Sequence, residues 1–285
     1  IAGSSLSFTR TYTSTGSNTV RAAVVDKNGG ISSVTTHNVT VTRYRTAPNP
    51  TNGSLTDLIL GGLDTEDGIM LSAGSSFIPT ASNQSVFFYN FNAPGEGSQL
   101  VEGITGRVVV YLQGGDDLLI NLPADPSLDR PLFVDGGTGS DVIVGGILDD
   151  TIYGGEGDDV IVALTGDDSI FGGNGNDFIV AGFGADTVFG GAGSDWIIAG
   201  DLSDTEDVPE GAVDEWQFGG SYASRTNNVL NGGGLNTGPV IPGFHVVDDT
   251  SADAVYGEAD EDFFWMDLTQ DTSPDRVLTE IQVSL

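Results

Sequence analysis

Residues 136–198 are one nine-residue unit written seven times without a gap: GGTGSDVIV, GGILDDTIY, GGEGDDVIV, ALTGDDSIF, GGNGNDFIV, AGFGADTVF and GGAGSDWII. The sixth position is Asp in every copy (Asp141, Asp150, Asp159, Asp168, Asp177, Asp186, Asp195). The eighth is aliphatic in every copy (Ile143, Ile152, Ile161, Ile170, Ile179, Val188, Ile197). Two independent positions kept in register this long require a solenoid, in which each copy repeats one local conformation and stacks on its neighbours.

The glycine-rich half of each copy permits left-handed turns and close stacking of loops. The β-branched half reads as a three-residue strand whose middle residue points inward. Inward Ile above Ile builds a dry core, one layer per coil. The Asp then falls at the same place on every loop, and a column of unpaired carboxylates repels itself. A hard, oxygen-seeking cation between loops removes that conflict, with loop carbonyls completing its shell. A second period lies inside the first. Ninth positions alternate between aliphatic (Val144, Val162, Val180, Ile198) and aromatic (Tyr153, Phe171, Phe189). Two copies therefore make one coil, and odd and even strands lie in opposite sheets. One outer face carries a ladder of Tyr153, Phe171 and Phe189 at about the 4.8 Å strand spacing. The plainer expectation is that another part of the chain covers this ladder; the functional one is an exposed partner or carbohydrate surface.

The nonapeptide resembles the calcium-binding repeat of the RTX (repeat-in-toxin) family. The resemblance implies an all-β fold, a right-handed parallel β-roll or β-solenoid holding several Ca2+ ions. It also implies ligands, carried over position by position. Each ion sits between a loop and the loop two copies later. The earlier loop gives its second and fourth carbonyls, the later loop its first and third, and both give the sixth-position Asp. In this chain Gly137, Gly139, Gly154 and Glu156 serve the gap between Asp141 and Asp159. Gly155, Gly157, Gly172 and Asn174 serve Asp159 and Asp177, and Gly173, Gly175, Gly190 and Ala192 serve Asp177 and Asp195. The even loops depart from the pattern: Leu148 replaces a fourth-position Gly, and two copies open at Ala163 and Ala181. A further even copy, 199–207, keeps Asp204. Weaker gaps are therefore expected between Asp150 and Asp168, Asp168 and Asp186, and Asp186 and Asp204.

The chain has 41 acidic and 9 basic residues, with Lys27 its single lysine, and a formal charge of −32. That balance excludes nucleic acid and anionic membrane surfaces as partners. Such charge usually signals disorder, but 38% hydrophobic content in strict register points instead to a fold completed by calcium. No Cys is present, so disulfides and thiolate metal sites are absent. These features fit a secreted or cell-surface protein working where calcium is abundant. No run is apolar enough for membrane insertion.

Residues 1–43 have a different texture. Phe8 and Tyr12, then Val20 to Val25, then Val34 to Val41 alternate apolar with polar residues, and Asp26 to Gly30 reads as a turn. The stretch resembles the last strands of a PKD-type, immunoglobulin-like β-sandwich, a partial one, since the full fold takes about seven strands. Either the chain continues a longer protein, or another copy supplies the missing strands and a filament forms. Pro48, Pro50, Asn52 and Gly53 mark 44–57 as a linker. Residues 58–135 read as wider, irregular coils, with Asp117 at the sixth position of LQGGDDLLI and a stretched copy in GGLDTEDGIML. Residues 136–207 are the roll. Residues 208–285 form a C-terminal capping segment, with a short helix near 221–230, two further rungs (Asp253 with Val255, Asp262 with Phe264) and a terminal strand. The run from Glu215 and Trp216 through Tyr222 and Arg225 to DAVYGEADEDFFW resembles the closing segment of large bacterial RTX surface proteins.

Catalysis is not expected. The paired carboxylates read as calcium ligands or solvated loop charge. His37 and His245 lie in no nucleophile or zinc motif. Two function classes remain: a calcium-dependent extracellular structural or adhesive module, and the non-catalytic C-terminal part of a secreted hydrolase or toxin.

Overall fold

The computed structural model describes residues 16–22, 35–41, 44–62, 66–74, 84–90, 99–121, 130–202, 213, 216–217, 221–231, 246–247, 251–266, 271–273 and 281–284. The chain divides into two units, Ile1–Arg45 and Thr46–Leu285. In the first, β1 (Gly16–Ala22) pairs antiparallel with β2 (Thr35–Val41), setting Val20 opposite His37. Phe8, Tyr12, Val25 and Val34 lie outside the described residues.

The second unit is a parallel β-roll. The boundary falls within β3 (Tyr44–Pro48); the leading strands of the roll are then β4 (Thr56–Gly61), β5 (Gly68–Gly74), β6 (Gln84–Asn90), β7 (Gln99–Ile104), β8 (Val108–Tyr111), β9 (Leu118–Asn121) and β10 (Leu132–Thr138). The repeats supply β11 (Val142–Val144), β12 (Thr151–Glu156), β13 (Val160–Val162), β14 (Ser169–Asn174), β15 (Phe178–Val180), β16 (Thr187–Ala192) and β17 (Trp196–Ile198). After β18 (Asp201–Leu202) come the helix α1 (Tyr222–Asn231), β19 (Val246–Val247), β20 (Ala254–Ala259), β21 (Phe263–Met266) and β22 (Ile281–Ser284).

Two sheets face each other across the core. One is ordered β20-β16-β14-β12-β10-β8-β4-β3 and takes the even copies; the other, β22-β21-β17-β15-β13-β11-β9-β5-β6-β7, takes the odd. Within the repeats every pairing is parallel with an 18-residue step, as in Ile143 to Ile161 and Ile152 to Ile170. Two nonapeptides per coil therefore hold throughout. The eighth-position residues are buried in one unbroken stack, continued by Val255 and Phe264. Fully burying such side chains contributes about 1.5–3 kcal/mol each, which is why the coil repeats on this position.

Three places depart from the sequence reading. The stretch read as a linker, 44–57, contains β3 and an ordered turn. Asn49 Oδ1 accepts the N–H groups of Thr51 and Asn52, both at 2.9 Å, and Asn49 Nδ2 donates to Asp57 Oδ1 at 2.9 Å. Those side-chain bonds supply what a free linker would leave to water. Second, β6 and β7 run antiparallel beside β5, with Met70 opposite Tyr89, so 58–135 combines roll coils with a meander on one sheet edge. Third, the coil stacked on β16 is not 199–207 but β20, which places Phe189 opposite Tyr256.

The expected ladder forms and is longer than its three members. Tyr153, Phe171, Phe189 and Tyr256 stack face to face, with centroids 4.6, 5.1 and 4.7 Å apart and planes within 10°. Phe133 and Tyr111 continue it with tilted rings. Tyr111 and Tyr153 are exposed, and the Arg107 guanidinium lies over the Phe133 ring, 5.4 Å from its centroid. The covering element sits on the other sheet. There Trp216, ahead of α1, and Val229 of α1 pack on Phe178, Val180, Trp196, Ile198, Phe263 and Trp265. The seventh positions of the odd copies explain the choice: they change from Val142 and Val160 to Phe178 and Trp196, widening the apolar surface toward the end that is covered.

Candidate metal centre

Stacking the loops stacks their aspartates into two columns, one along each edge of the roll. On the odd edge stand Asp67, Asp117, Asp141, Asp159, Asp177, Asp195 and Asp262, none more than 2% exposed. On the even edge stand Asp150, Asp168, Asp186, Asp253 and Asp271, all buried. Each carboxylate is held by the coil before it. The N–H of Asp141 donates to Asp159 Oδ1 at 2.8 Å, that of Asp159 to Asp177 Oδ1 at 2.8 Å, and that of Asp177 to Asp195 Oδ1 at 2.9 Å. The even column repeats this from Asp150 to Asp168 at 2.7 Å and from Asp168 to Asp186 at 2.8 Å.

The second oxygen is left over. Oδ2 of Asp117, Asp141, Asp159, Asp168, Asp177 and Asp195 is buried without a hydrogen-bond partner. A buried, unpartnered carboxylate oxygen is strongly unfavourable unless a cation meets it. The surroundings of these atoms are oxygen-rich. A Cβ placed on Gly136 would meet Asp141 Oδ2 at 2.5 Å and the Gly154 carbonyl, and one on Gly154 would meet Asp159 Oδ2 and the Gly172 carbonyl. The same holds at Gly172, with Asp177 and the Gly190 carbonyl. From below, the carbonyls of Gly137 and Gly139 point at Gly155 and Gly157, those of Gly155 and Gly157 at Gly173 and Gly175, and those of Gly173 and Gly175 at Gly191 and Gly193. These second and fourth positions have φ between +103° and +142°, which turns the carbonyls out of the strand and which glycine adopts without a Cβ clash. The third-position carbonyls of Glu156, Asn174 and Ala192 accept N–H bonds from Gly139, Gly157 and Gly175 at 2.7 Å, so each has one lone pair left to offer.

Each gap thus presents carboxylate and carbonyl oxygens and no nitrogen or sulfur ligand. Among the described residues no three His, Asp or Glu side chains cluster; carboxylates arrive two per gap, and the backbone makes up the number. That donor set fits Ca2+, which takes 6–8 oxygens in irregular geometry, and not Mg2+, which demands an octahedron. Without a cation, burial pushes Asp141 up to about 6, Asp117, Asp150 and Asp177 to about 7, Asp159 and Asp168 to about 8, and Asp195 well above the usual carboxylate range. Desolvation is the largest cause at every one, and a neighbouring carboxylate adds to it at each.

The even column is built differently at its start. Asp150 Oδ1 accepts the Leu132 N–H and its Oδ2 accepts the Gly146 N–H, both at 2.7 Å. Both oxygens are satisfied by backbone, and the coil before it has Leu132 where an Asp would stand. At the other end the N–H of Asp186 donates to Asp253 Oδ1 at 2.8 Å, so Asp253 is its successor in the column, in place of the expected Asp204. Asp204 itself lies outside the described residues. Asp67, Asp253, Asp262 and Asp271 join the columns without having been assigned as ligands from sequence.

Residues 135–170 and 171–206 match the family described as RTX calcium-binding nonapeptide repeat (4 copies). No curated protein and no solved structure matches the chain. The segment is therefore an RTX parallel β-roll, and RTX nonapeptide repeats bind Ca2+.

Proposed function

We propose that this chain is a calcium-dependent extracellular structural or adhesive module of a secreted or cell-surface protein. Its activity is to take up calcium and so hold a stiff surface outside the cell. The observation that carries the reading is the row of buried, unpartnered Oδ2 atoms facing carbonyls across each loop gap. In this reading the gaps Asp141/Asp159, Asp159/Asp177 and Asp177/Asp195 hold ions, with Gly137, Gly139, Gly154 and Glu156 and their equivalents giving carbonyls. The even gaps Asp150/Asp168 and Asp168/Asp186 bind more weakly. Apolar cores, glycine turns and acid columns account for the buried groups of the roll, which favours a scaffold over a catalyst. No helix among the described residues is long and apolar enough to cross a membrane.

The ranking of sites is testable by substitution. Asp159→Ala and Asp177→Ala each remove a ligand shared by two gaps; Asp150→Ala affects one gap and a carboxylate already bonded to backbone. Losing one site at hundredfold saturation costs about 2.7 kcal/mol. The first two should therefore lower the melting temperature at fixed calcium clearly more than the third; equal losses would contradict the ranking.

Assembly into filaments through residues 1–43 is part of the same proposal. β1 and β2 form a two-stranded pair among the described residues, and a lone pair of strands is marginally stable until further strands join it. Negative-stain micrographs of the calcium-loaded protein should show fibres that vanish when 1–43 are deleted. Monomers only, with and without the segment, would remove the filament and leave the calcium module.

A further inference from the structure

The odd column does not end where the contiguous repeats end. The loop stacked on 190–195 is 257–262, joined to it by β17 beside β21, with Ile197 opposite Phe264. Asp195 donates its N–H to Asp262 Oδ1 at 2.8 Å, across 67 residues of sequence instead of 18. The gap between these loops has the donors of the regular ones. Asp195 Oδ2 is fully buried and unpartnered. The Gly257 carbonyl lies 3.1 Å from the Cβ position of Gly190, which also faces Asp195 Oδ2. Glu258, which pairs with Gly191, and Asp260 take the second and fourth places of the loop, with positive φ of 74° and 75° as the glycines have there. Side chains rarely adopt that conformation, and it persists only where surroundings hold it.

The same inserted segment grips both loops. Trp216 Nε1 donates to the carbonyl of Ser194, the residue before Asp195, at 3.0 Å. Tyr222 Oη donates to the carbonyl of Asp262 at 2.7 Å. Arg225, whose guanidinium lies 4.9 Å over the Trp216 ring, donates to the Trp216 carbonyl at 2.8 Å. An ion in this gap and the covering segment therefore stabilise one and the same juxtaposition.

We propose that the gap between loops 190–195 and 257–262 is a calcium site, and that filling it closes the C-terminal coil and its covering segment onto the roll. The inference rests on the calcium reading of the roll but concerns a site outside the matched repeats. Contiguous coils meet through short connections; this one must find its place from a distance, so its closure responds to calcium separately from theirs. The chain provides its own reporters. Its three tryptophans, Trp196, Trp216 and Trp265, all lie in the cluster that closure buries, whereas far-ultraviolet circular dichroism follows the whole roll.

The test is Asp262→Asn in the full chain, which keeps the shape and an acceptor for the Asp195 N–H but removes the charge. Native mass spectrometry should count one calcium fewer than wild type. The calcium midpoint of tryptophan emission should rise about tenfold or more, since ligand charge tunes affinity, while the dichroism midpoint stays close to that of wild type. A full ion count, or an emission midpoint that stays with wild type, overturns the proposal. If this variant gains no β signal at all, Tyr222→Phe decides: losing one hydrogen bond should raise the emission midpoint about threefold and leave dichroism alone, and no shift overturns the coupling. A wild type that takes up no calcium would instead sink the reading on which the proposal rests.

Discussion

Chelating calcium at neutral pH should abolish most of the β signal of residues 112–270, and adding calcium back, but not magnesium, should restore it. At hundredfold saturation each filled gap contributes about 2.7 kcal/mol, so the three best odd gaps contribute about 8. A domain's whole stability is about 5–15 kcal/mol. Removing the ions subtracts that contribution and also exposes the column's self-repulsion within a chain of charge −32. Magnesium does not replace calcium because a gap lined by fixed carbonyls cannot form the tight octahedron it requires. A spectrum indifferent to chelator would show that the core alone holds the fold.

Acid should act in opposite directions with and without calcium. In chelator the buried aspartates sit between about 6 and 8, above their unfolded value of 3.8. The folded state then binds more protons than the unfolded one, so its stability falls as pH rises. That contribution is complete below about 3.8 and is lost as pH climbs through 6 to 8. The ion-free roll should therefore regain β structure on acidification from pH 8 to pH 5. With calcium present the ligands must be ionised, so affinity should weaken over the same interval and each binding event should release protons. Melting curves at pH 5, 6, 7 and 8, with chelator and with excess calcium, should give slopes of opposite sign. Parallel slopes would mean that the columns do not titrate together with ion binding.

Much of this architecture was legible because it is local and periodic. Asp141 to Asp195, the inward Ile stack and the odd–even alternation all follow from spacing, and the 18-residue step realises them. What escaped was the non-local part. Asp262 and Asp253 were seen as sixth positions, but nothing in the spacing says that they stack on Asp195 and Asp186 across the insertion. Tyr111 and Phe133 join the ladder through coils of irregular length, where no fixed period points to them; Tyr256 is the ninth position of the rung with Asp253 and Val255, but spacing does not say that it stacks on Phe189. The copy of Asp150 stands out in sequence only by Leu148 at its fourth position. The spacing does not show the difference at its carboxylate, which lies in Leu132 of the preceding coil and in the Gly146 N–H that reaches its second oxygen. One signal was available: aromatic residues at the seventh positions, Phe178 and Trp196, already marked the face that the covering segment would take.

The ladder and the two aspartate columns lie on different sides of the roll, and that placement makes it a beam with two kinds of rail. Flexing toward either loop edge must open the gaps on the opposite edge, which stretches the ion column. Flexing across the flat faces must part rings stacked 4.6–5.1 Å apart from Tyr153 to Tyr256. The ring stack is built of aromatic side chains alone. With the gaps filled as proposed, calcium level would set rigidity in one plane and leave the perpendicular plane to the aromatic rings, so stiffness would depend on direction as well as on concentration.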